Sequence, residues 1–400
     1  MRLRSELVEI YRAAVRALSG EALVRAALAD VPRPERVHVL ALGKASDAML
    51  RGAQAAWGTL SGVAVGGMPV PGIEWLHGEH PVPGAGSLAA GTRLLAFVRA
   101  LAPEDTLLVL LSGGGSALAE LPAAGLSLHD LHETTQALLG ADVPIDRINC
   151  VRKHLSQIKG GRLAAACGAG RMLVLTISDV AGDDPAVIAS GPFAPDPTTF
   201  ADALAVVREV DVPSAVEELL RRAEGETPKA PDPRVEQRIL AGPLDLARKA
   251  AEIARSRGFD AQAVGEVVSG SIERVAERWE AWFASAPPPG SLLAAAAEPT
   301  VALPPWAGEG GRSQHLALRM SRGLGYLETD IAFLAAGSDG HDGISLQAGA
   351  AVDGMTWQRR VEQALQDFAS GEAARDLGVD IPAWDTGTNL ADLHLLAIGR

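Results

Sequence analysis

The residues best suited to chemistry form the run Ser112-Gly113-Gly114-Gly115-Ser116, which directly follows five aliphatic residues at 107–111. Consecutive glycines let the backbone approach a ligand closely, because no Cβ atom intervenes. If a helix begins after them, its unpaired N–H groups and the positive end of its dipole face that ligand and favour an anion. The run therefore predicts a phosphate or carboxylate site, with a tight turn that binds no ligand as the alternative.

A second candidate is the basic segment 149–164, which contains Asn149, Lys153 and the pair Gly160-Gly161. A solvated helix face is the usual explanation of such a run of charges. Here the rest of the chain is acidic, apolar residues at helical spacing indicate partial burial, and the two glycines interrupt a helix. We therefore expect this segment to bind an anion.

Three aspartates, Asp179, Asp183 and Asp184, follow the apolar stretch 172–177. Carboxylates crowded at the end of a strand are unfavourable unless a cation or a hydrogen-bonding loop compensates them. Magnesium suits such a place, since it takes one or two carboxylates together with phosphate oxygens. Aspartate also forms turns and caps helices, which accounts for at least one of the three.

The second half of the chain again combines glycines with charge. Arg312 follows the glycine-rich stretch 308–311 and falls in the first turn of a predicted helix, where a cation opposes the helix dipole. A ligand phosphate held between the helix amides and the guanidinium would remove that unfavourable interaction. Asp339 lies in a second polar loop, and residues 386–392 form a third.

Composition and motif spacing exclude several classes of function. The formal net charge of −13 leaves no basic stripe for a nucleic acid, and no apolar run reaches the ~20 residues of a bilayer-spanning helix. Gly43-Lys44 lacks the preceding glycine of a P-loop, and Gly113 and Gly115 lack the third glycine of the dinucleotide-binding fingerprint. Two isolated cysteines and a polar N-terminus favour a cytoplasmic protein without a membrane partner.

These candidate residues lie between alternating strand and helix patterns. The first half predicts strands at 37–42, 62–66, 73–78, 107–111 and 172–177. It also predicts one or two helices at 6–29, a turn at 43–46 that leads into a helix ending near 58, and helices at 88–101, 128–139 and 152–167. The proline-rich segment 223–243 indicates a linker. After it the sequence predicts helices at 244–257 and 314–324, a helix ending near 285, and strands at 261–265, 292–297, 300–303, 331–336 and 394–399. This alternation predicts a two-domain α/β protein with a doubly wound first domain and a site above its strand ends.

The ordered set of motifs resembles the class II glycerate 2-kinases, a family with a C-terminal MOFRL domain. The matching segments are Leu42-Gly43-Lys44-Ala45, His80-Pro81-Val82-Pro83, 111–118, 149–164, 178–185 with 189–199, 310–318, 335–343 and 386–393. The resemblance implies a larger Rossmann-like N-terminal domain at 1–235 and a smaller MOFRL-type α/β domain at 236–400. It also implies a phosphotransferase that uses ATP and Mg²⁺ to convert D-glycerate into 2-phosphoglycerate, as a monomer or homodimer.

The same resemblance implies roles for individual residues. Lys44 and Arg312 would be catalytic, with Arg312 clamping the transferring phosphoryl group and Lys44 holding the glycerate carboxylate or the γ-phosphate. Because they come from different domains, a closing cleft would bring them together. Asp179 and Asp183 would hold magnesium, and Asp183 or Asp339 would accept the hydroxyl proton. The residues expected to bind substrate or phosphate are Ser112, Gly113, Gly114, Gly115, Ser116, Asn149, Lys153 and Asp339.

Several positions of the second domain depart from the family pattern. Ala295-Ala296-Ala297 precedes Glu298 where members usually have Ser-Gly-Gly, and Ser313 and His315 replace the usual Asn and Glu. Alanine in place of glycine keeps a backbone away from a ligand. Two alternatives therefore stay open: a kinase for a related small hydroxy acid, and a member that has lost nucleotide binding and only binds an anion.

Overall fold

The computed structural model describes residues 2–326 and 330–400, which form two compact units. The N-terminal unit is Gly20–Leu240, and the C-terminal unit combines residues 2–19 with Ala241–Arg400. The first helix, α1 (Arg2–Ala17), thus belongs to the C-terminal unit, whereas the sequence-based division places it in the first domain. Tyr11 shows why: it is fully buried, and its hydroxyl donates a 2.7 Å hydrogen bond to the Gly337 carbonyl oxygen.

The N-terminal unit is a six-stranded sheet with helices around it. Its strands are β1 (Val37–Leu42), β2 (Gly62–Val65), β3 (Ile73–Leu76), β4 (Thr106–Leu111), β5 (Arg171–Ile177) and β6 (Val235–Ala241). Its helices are α2 (Gly20–Leu28), α3 (Ser46–Trp57), α4 (Ala85–Arg99), α5 (Gly115–Leu118), α6 (Leu128–Gly140), α7 (Ile145–His154), α8 (Arg162–Ala166), α9 (Phe200–Val207), α10 (Ser214–Arg222) and a short 3-10 helix at Ile188–Ser190. The strand order is β3-β2-β1-β4-β5-β6, and the neighbours from β3 to β5 are parallel. The structure therefore confirms the doubly wound arrangement.

The centre of this sheet is buried on both faces, because its strands are continuous aliphatic runs. Leu108 and Val109 of β4 are fully buried although their side chains point to opposite faces. Leu42 pairs with Leu111, and Leu111 pairs with Thr176, so β1, β4 and β5 end at the same edge. The strand order reverses between β1 and β4, and open α/β sheets bind their ligands at such a switch point.

Two elements of this unit differ from the sequence prediction. The predicted helix at 152–167 is two helices, because Gly160 and Gly161 have left-handed φ angles of +56° and +81°. Their N–H groups donate to the Ser190 and Gly191 carbonyl oxygens at 3.0 and 2.7 Å, which fixes the break against the 3-10 helix. The predicted linker at 223–243 contains β6, the edge strand of the sheet.

The C-terminal unit is built on a mixed sheet. Its strands are β7 (Asp260–Ala263), β8 (Val268–Ser271), β9 (Ser291–Thr300), β10 (Ile331–Gly337), β11 (Gln347–Asp353), β12 (Asp380–Pro382) and β13 (Asp392–Ile398). Besides α1, its helices are α11 (Pro243–Ser256), α12 (Ile272–Ala284), α13 (Arg312–Leu324), α14 (Arg359–Gln366) and α15 (Ser370–Asp376). The strand order is β12-β11-β10-β13-β9-β7, and β8 also pairs with β9. β7 and β8 run parallel to β9, whereas the other pairs are antiparallel.

This unit also departs from the sequence prediction in its strands. The predicted strand at 292–297 extends to Thr300 as β9, and the separate strand predicted at 300–303 is wrong, because residues 301–303 form no strand. β11 is absent from the prediction because its residues are mostly Ala and Gly, which carry little strand preference. Across residues 2–326 and 330–400, no helix has the length and apolarity that crossing a membrane requires.

Replacing Leu40 by Ala tests the two-sided burial of the N-terminal sheet. Leu40 of β1 is fully buried and truncation leaves a cavity, so we expect the free energy of unfolding to fall by about 2–5 kcal/mol. Leu139→Ala, at a 57% exposed position of α6, should change it by less than about 0.5 kcal/mol. Urea titrations followed by circular dichroism measure both variants, and equal losses would contradict the assignment of Leu40 to the core.

Candidate active site

The loops that follow β1 and β4 are joined directly at the switch point of the N-terminal sheet. The Lys44 N–H group donates to the Gly113 carbonyl oxygen at 2.9 Å, and the Ala45 N–H group donates to Ser112 Oγ at 3.0 Å. Gly43 has a φ of +130°, and a Cβ atom there would lie 2.2 Å from Ser112 Oγ. Glycine is therefore required at position 43 for the two loops to approach each other this closely.

Lys44, His80 and Gly114 form one cluster above this junction. Gly114 has a φ of +82°, and a Cβ atom on it would lie 3.1 Å from Lys44 Cγ and 3.3 Å from His80 Cδ2. The Lys44 side chain thus runs alongside the glycine loop, as expected. His80 was visible in the sequence only as part of a proline-rich loop, and its place beside Gly114 depends on a contact between distant segments.

The helix after the glycines is shorter than the sequence-based argument assumed. α5 spans only Gly115–Leu118, so it has no macrodipole of useful size. What the loop still offers is the set of backbone N–H groups at the start of a helix, which have no partner within the helix. Anion binding at this loop would therefore rest on these amides and on neighbouring cations.

The Arg152 guanidinium lies beside the last residue of the glycine loop, Ser116. Its Nη2 donates to Ser116 Oγ at 2.7 Å, and Ser116 Oγ lies 2.9 Å from Ser190 Oγ. Burial lowers the pKa of the Arg152 guanidinium, and the nearby Glu120 carboxylate opposes that shift. The sequence placed Arg152 in the basic segment but gave no signal that it, and not its neighbour, contacts the loop.

Lys153 is held by a different partner. Its Nζ lies 3.4 Å from Asp196 Oδ1, and both side chains are buried. This pairing holds the Lys153 charge against Asp196, and the role of Lys153 at the substrate stays a prediction. Asn149 lies on the same helix, is partly buried, and stands one turn before Arg152.

Two aspartates of the loop after β5 have different surroundings: Asp184 stabilises a turn, and Asp183 is a candidate metal ligand. Asp184 Oδ1 accepts a 2.8 Å hydrogen bond from the Ala186 N–H group, as a turn-forming aspartate does. Asp183 has a φ of +54°, and its Oδ1 is buried yet accepts no hydrogen bond from the residues that the structure describes. Asp179 is partly buried at the end of the strand. Within the described chain no three His, Cys, Asp or Glu residues cluster as a metal site, although Mg²⁺ needs only one or two carboxylates.

In the C-terminal unit, a carboxylate of the chain itself occupies the start of α13. Asp342 accepts hydrogen bonds from the Ser313 and Gln314 N–H groups at 3.0 and 2.7 Å. Gly311 permits this, because a Cβ atom on it would lie 2.2 Å from Asp342 Oδ1. The N–H groups at which the sequence predicts a phosphate are thus bonded to a carboxyl group of the chain itself.

The Arg312 guanidinium is likewise held by an internal carboxylate. Its Nε and Nη2 donate to the two oxygens of Asp392 at 2.8 and 3.2 Å, a bidentate pair. Ser313 Oγ donates to the same carboxylate at 3.0 Å. The remaining nitrogen, Nη1, lies 3.7 Å from Glu298 Oε1, and the side chain is about one-third exposed.

Burial sets the protonation of two groups beside Arg312. It raises the pKa of Asp342 to about 7, with a further contribution from Asp392 and opposition from the Gln314 and Ser313 N–H groups. Burial also lowers the pKa of His394 to about 3, and the Arg312 charge adds to this. His394 is therefore neutral at pH 7, which agrees with its Nδ1 accepting a 3.1 Å hydrogen bond from the Trp279 indole.

The remaining expected residues of this unit have structural partners. Asp339 is partly buried after β10 and accepts a 3.1 Å hydrogen bond from the His341 N–H group. The three alanines at 295–297 are fully buried in β9, where they pair with β13 and fill the core. His315 stacks on Phe368 with ring centroids 5.2 Å apart.

Comparison with known proteins agrees with this architecture. Residues 6–223 match a family model described as a domain of unknown function, DUF4147, and residues 291–392 match the MOFRL family. A D-glycerate 2-kinase of Thermotoga maritima is 34% identical over 98% of this chain and 97% of its own length. The chain belongs to the glycerate kinase family with a C-terminal MOFRL domain.

Other members of the glycerate kinase family extend this comparison. The crystal structure of glycerate kinase from Thermotoga maritima has a TM-score of 0.86 and 32% identity to this chain, and 99% of each chain is covered. A glycerate 2-kinase of Pyrococcus horikoshii is 35% identical over 91% of this chain and 87% of its own length. A protein of Agrobacterium vitis, provisionally named a hydroxypyruvate reductase, is 36% identical over 99% of this chain and 94% of its own.

Gly43→Ala tests the junction between the two loops of the N-terminal unit. The new methyl group would meet both Ser112 Oγ and the Ser112 carbonyl oxygen, so we expect it to destabilise the protein by more than backbone strain alone, which is about 1–3 kcal/mol. Gly125→Ala is the matched control, since its φ is +91° and nothing lies within 4 Å of the added Cβ. Thermal unfolding measures both, and equal losses would refute a required close approach at Gly43.

Asp342→Asn tests the buried carboxyl at the start of α13. A folded-state pKa of about 7, above the unfolded value of about 4, means that folding is favoured while the native group stays protonated. The lowered pKa of His394 makes stability rise with pH over much of the same range, so the difference between variant and wild type is the informative quantity: we expect Asp342→Asn to gain stability relative to the wild type as the pH rises from about 4 to 7. Urea titrations across that range measure it, with Asp367→Asn at an exposed position as the control. A difference that stays constant across the range would exclude a contribution of this carboxyl to the pH dependence of stability.

Proposed function

We propose that this chain transfers the γ-phosphoryl group of ATP to the 2-hydroxyl of D-glycerate, which yields 2-phosphoglycerate. The observation that carries the proposal is the cluster of Lys44, Arg152 and the glycine loop at the sheet's switch point. The similarity to glycerate 2-kinases over nearly the whole chain supports the same reaction. The substrate and product are anions, and so is the nucleotide, so a site with two cations and free amides suits all of them.

Phosphoryl transfer depends on positioning and charge stabilisation more than on covalent chemistry. Lys44 and Arg152 supply positive charge on either side of Ser112–Ser116, and the loop amides donate hydrogen bonds to the bound anion. The Glu120 carboxylate stabilises the buried Arg152 charge without contacting the ligand. In this proposal the glycerate carboxylate or a nucleotide phosphate binds at the glycine loop.

We further propose that Asp183, with Asp179 as second ligand, holds Mg²⁺. The buried, unpartnered Oδ1 of Asp183 and its left-handed backbone fit a carboxylate that is completed by a cation. When bound, the ion neutralises negative charge on the phosphate oxygens. Asp183 and Asp339 both remain candidates for the group that accepts the hydroxyl proton.

Arg312 would stabilise the negative charge on the transferring phosphoryl group. Asp392 holds Nε and Nη2, whereas Nη1 has only a long 3.5 Å hydrogen bond to the Pro299 carbonyl oxygen, so Nη1 is the nitrogen that would contact a phosphoryl oxygen. A rigid guanidinium loses little entropy when it stabilises the charge of the transition state. Ala295–Ala297 stand where family members usually have Ser-Gly-Gly. Their burial in β9 supports the proposal that these alanines pack in the core and do not block a ligand.

An assay of ADP release with D-glycerate, ATP and Mg²⁺ tests the proposed reaction. Adding enolase without a mutase identifies the product, because enolase consumes 2-phosphoglycerate directly. We expect Lys44→Ala and Arg312→Ala each to lower kcat at least about 100-fold, since each removes a charge that stabilises the transition state. Lys249→Ala and Arg248→Ala, two surface substitutions on α11, should retain the wild-type rate.

The outcomes separate the alternatives. No turnover with glycerate but turnover with another small hydroxy acid would indicate a kinase of altered specificity. Calorimetric binding of glycerate without any binding of ATP would indicate a member that only binds anions. Turnover that survives EDTA would contradict the Mg²⁺ requirement, and NADH oxidation with hydroxypyruvate would favour a reductase.

A further inference from the structure

The N-terminal unit contains a second cavity whose chemistry the proposed kinase reaction does not use. Its volume is about 570 Å³, which is within the range of small-molecule sites. Three arginines line it: Arg99 from the last turn of α4, Arg162 from the first turn of α8 and Arg222 from the end of α10. Leu95 and Leu219 supply part of its apolar wall.

The Arg99 side of this cavity lies at the opposite edge of the sheet from the glycine loop, whereas Arg162 follows Gly160-Gly161, which bonds to the 3-10 helix that contacts Ser116. α4 leads into β4, so Arg99 lies towards the amino edge of the sheet, whereas Ser112–Ser116 follows the carboxyl edge. The same holds for the end of α8: the Gly168 N–H group donates to the Val98 carbonyl oxygen at 2.9 Å, just before β5 begins at Arg171. Along six residues of β4 the two edges are roughly 17 Å apart.

The three arginines that line the cavity form no ion pair with a carboxylate of the described residues. Other arginines of the unit, such as Arg147 and Arg221, form ion pairs with glutamates at 2.6 and 2.5 Å. In residues 2–326 and 330–400, none of Arg99, Arg162 and Arg222 has a carboxylate within ion-pair distance. Three such cations at one cavity of a chain with a net charge of −13 favour an anionic ligand.

Arg162 gives the most direct sign of a missing partner. Its Nε is buried and donates to no acceptor among the described residues, and burial lowers the pKa of its guanidinium. The Arg162 side chain is only partly buried and lines the cavity, so an anion there can pair with the charge of its guanidinium. Neighbouring Arg99 and Arg222 are exposed at the rim, where they can contact the same anion.

Two glutamates also line the cavity and must be weighed against the arginines. Glu226 is already engaged, since it accepts hydrogen bonds from the Phe200 and Thr227 N–H groups at 3.1 and 2.9 Å and contacts His154 at 3.0 Å. Glu224 is exposed at the rim. The cavity thus retains an excess of positive charge.

We propose that this cavity binds the phosphate group of a small phosphate monoester, with Arg162 as the inner anchor and Arg99 and Arg222 at the rim. The planar guanidinium matches the geometry of phosphate oxygens, and a monoester carries up to two negative charges for the three cations. The apolar wall formed by Leu95 and Leu219 accommodates its carbon skeleton. The site does not depend on the kinase reaction.

The test uses the full chain and inorganic phosphate as the probe. In the Lys44→Ala background, which weakens the glycine-loop site, isothermal titration calorimetry should still detect phosphate binding. Adding Arg222→Gln should weaken that binding about tenfold or more, because one charge-assisted hydrogen bond is lost. Arg221→Gln is the matched control, since that neighbour is paired with Glu217 and should leave phosphate affinity unchanged.

Two further variants sharpen the result. Arg162→Gln should cause the larger loss, with circular dichroism to verify folding, and Glu224→Gln should tighten binding by removing a repelling charge. If Arg162→Gln does not fold, the exposed Arg222 still decides the outcome. Loss of all phosphate binding in Lys44→Ala alone, or equal affinity in Arg222→Gln and Arg221→Gln, would overturn the proposal, whatever the kinase assay gives.

Discussion

The hydrogen bond from the Lys44 N–H group to the Gly113 carbonyl oxygen is the contact on which the N-terminal site depends. It joins the loops after β1 and β4, the two strands at which the direction of the sheet's winding changes. Gly43 makes the contact possible, and continuous aliphatic strands fix the ends of β1 and β4 at the same level. The positions of Lys44, His80 and the glycine loop all follow from that backbone approach.

Buried carboxylates lie close to many of the cationic side chains and balance their charge. Asp196 holds Lys153, Glu120 balances Arg152 and Lys159, and Asp392 holds Arg312. In an acidic chain such pairs are easily formed, so a basic residue near a glycine loop is not by itself evidence of ligand binding. The partner of each cation decides whether its charge is available, which is why the unpaired arginines are informative.

Local sequence signals were sufficient for strands β1 to β5 of the N-terminal unit, whereas β6 lies in a proline-rich segment that is typical of a linker. Continuous aliphatic runs followed by Gly43-Lys44 and Ser112–Ser116 indicate strand ends, because both the strand and the turn depend on adjacent residues. The sequence could not show which of Arg152 and Lys153 contacts the glycine loop, because helical spacing does not reveal which of two neighbouring residues faces that loop. The pairing of Arg312 with Asp392 joins residues 80 positions apart, and no local pattern contains it. The sequence also could not show that α1 belongs to the C-terminal unit. The pattern of an amphipathic helix reveals which face is buried but not which element covers that face.

The location of α1 has a consequence for how the protein is made. The C-terminal unit contains both the first helix and the last strand of the chain, and the N-terminal unit is inserted between them. β13 lies between β10 and β9, so the sheet that α1 packs against lacks an interior strand until residues 392–398 have left the ribosome. The inserted unit can fold while it is being synthesised. Leu7, Ile10 and Tyr11 of α1 therefore remain without part of the sheet that buries them throughout the synthesis of the inserted unit.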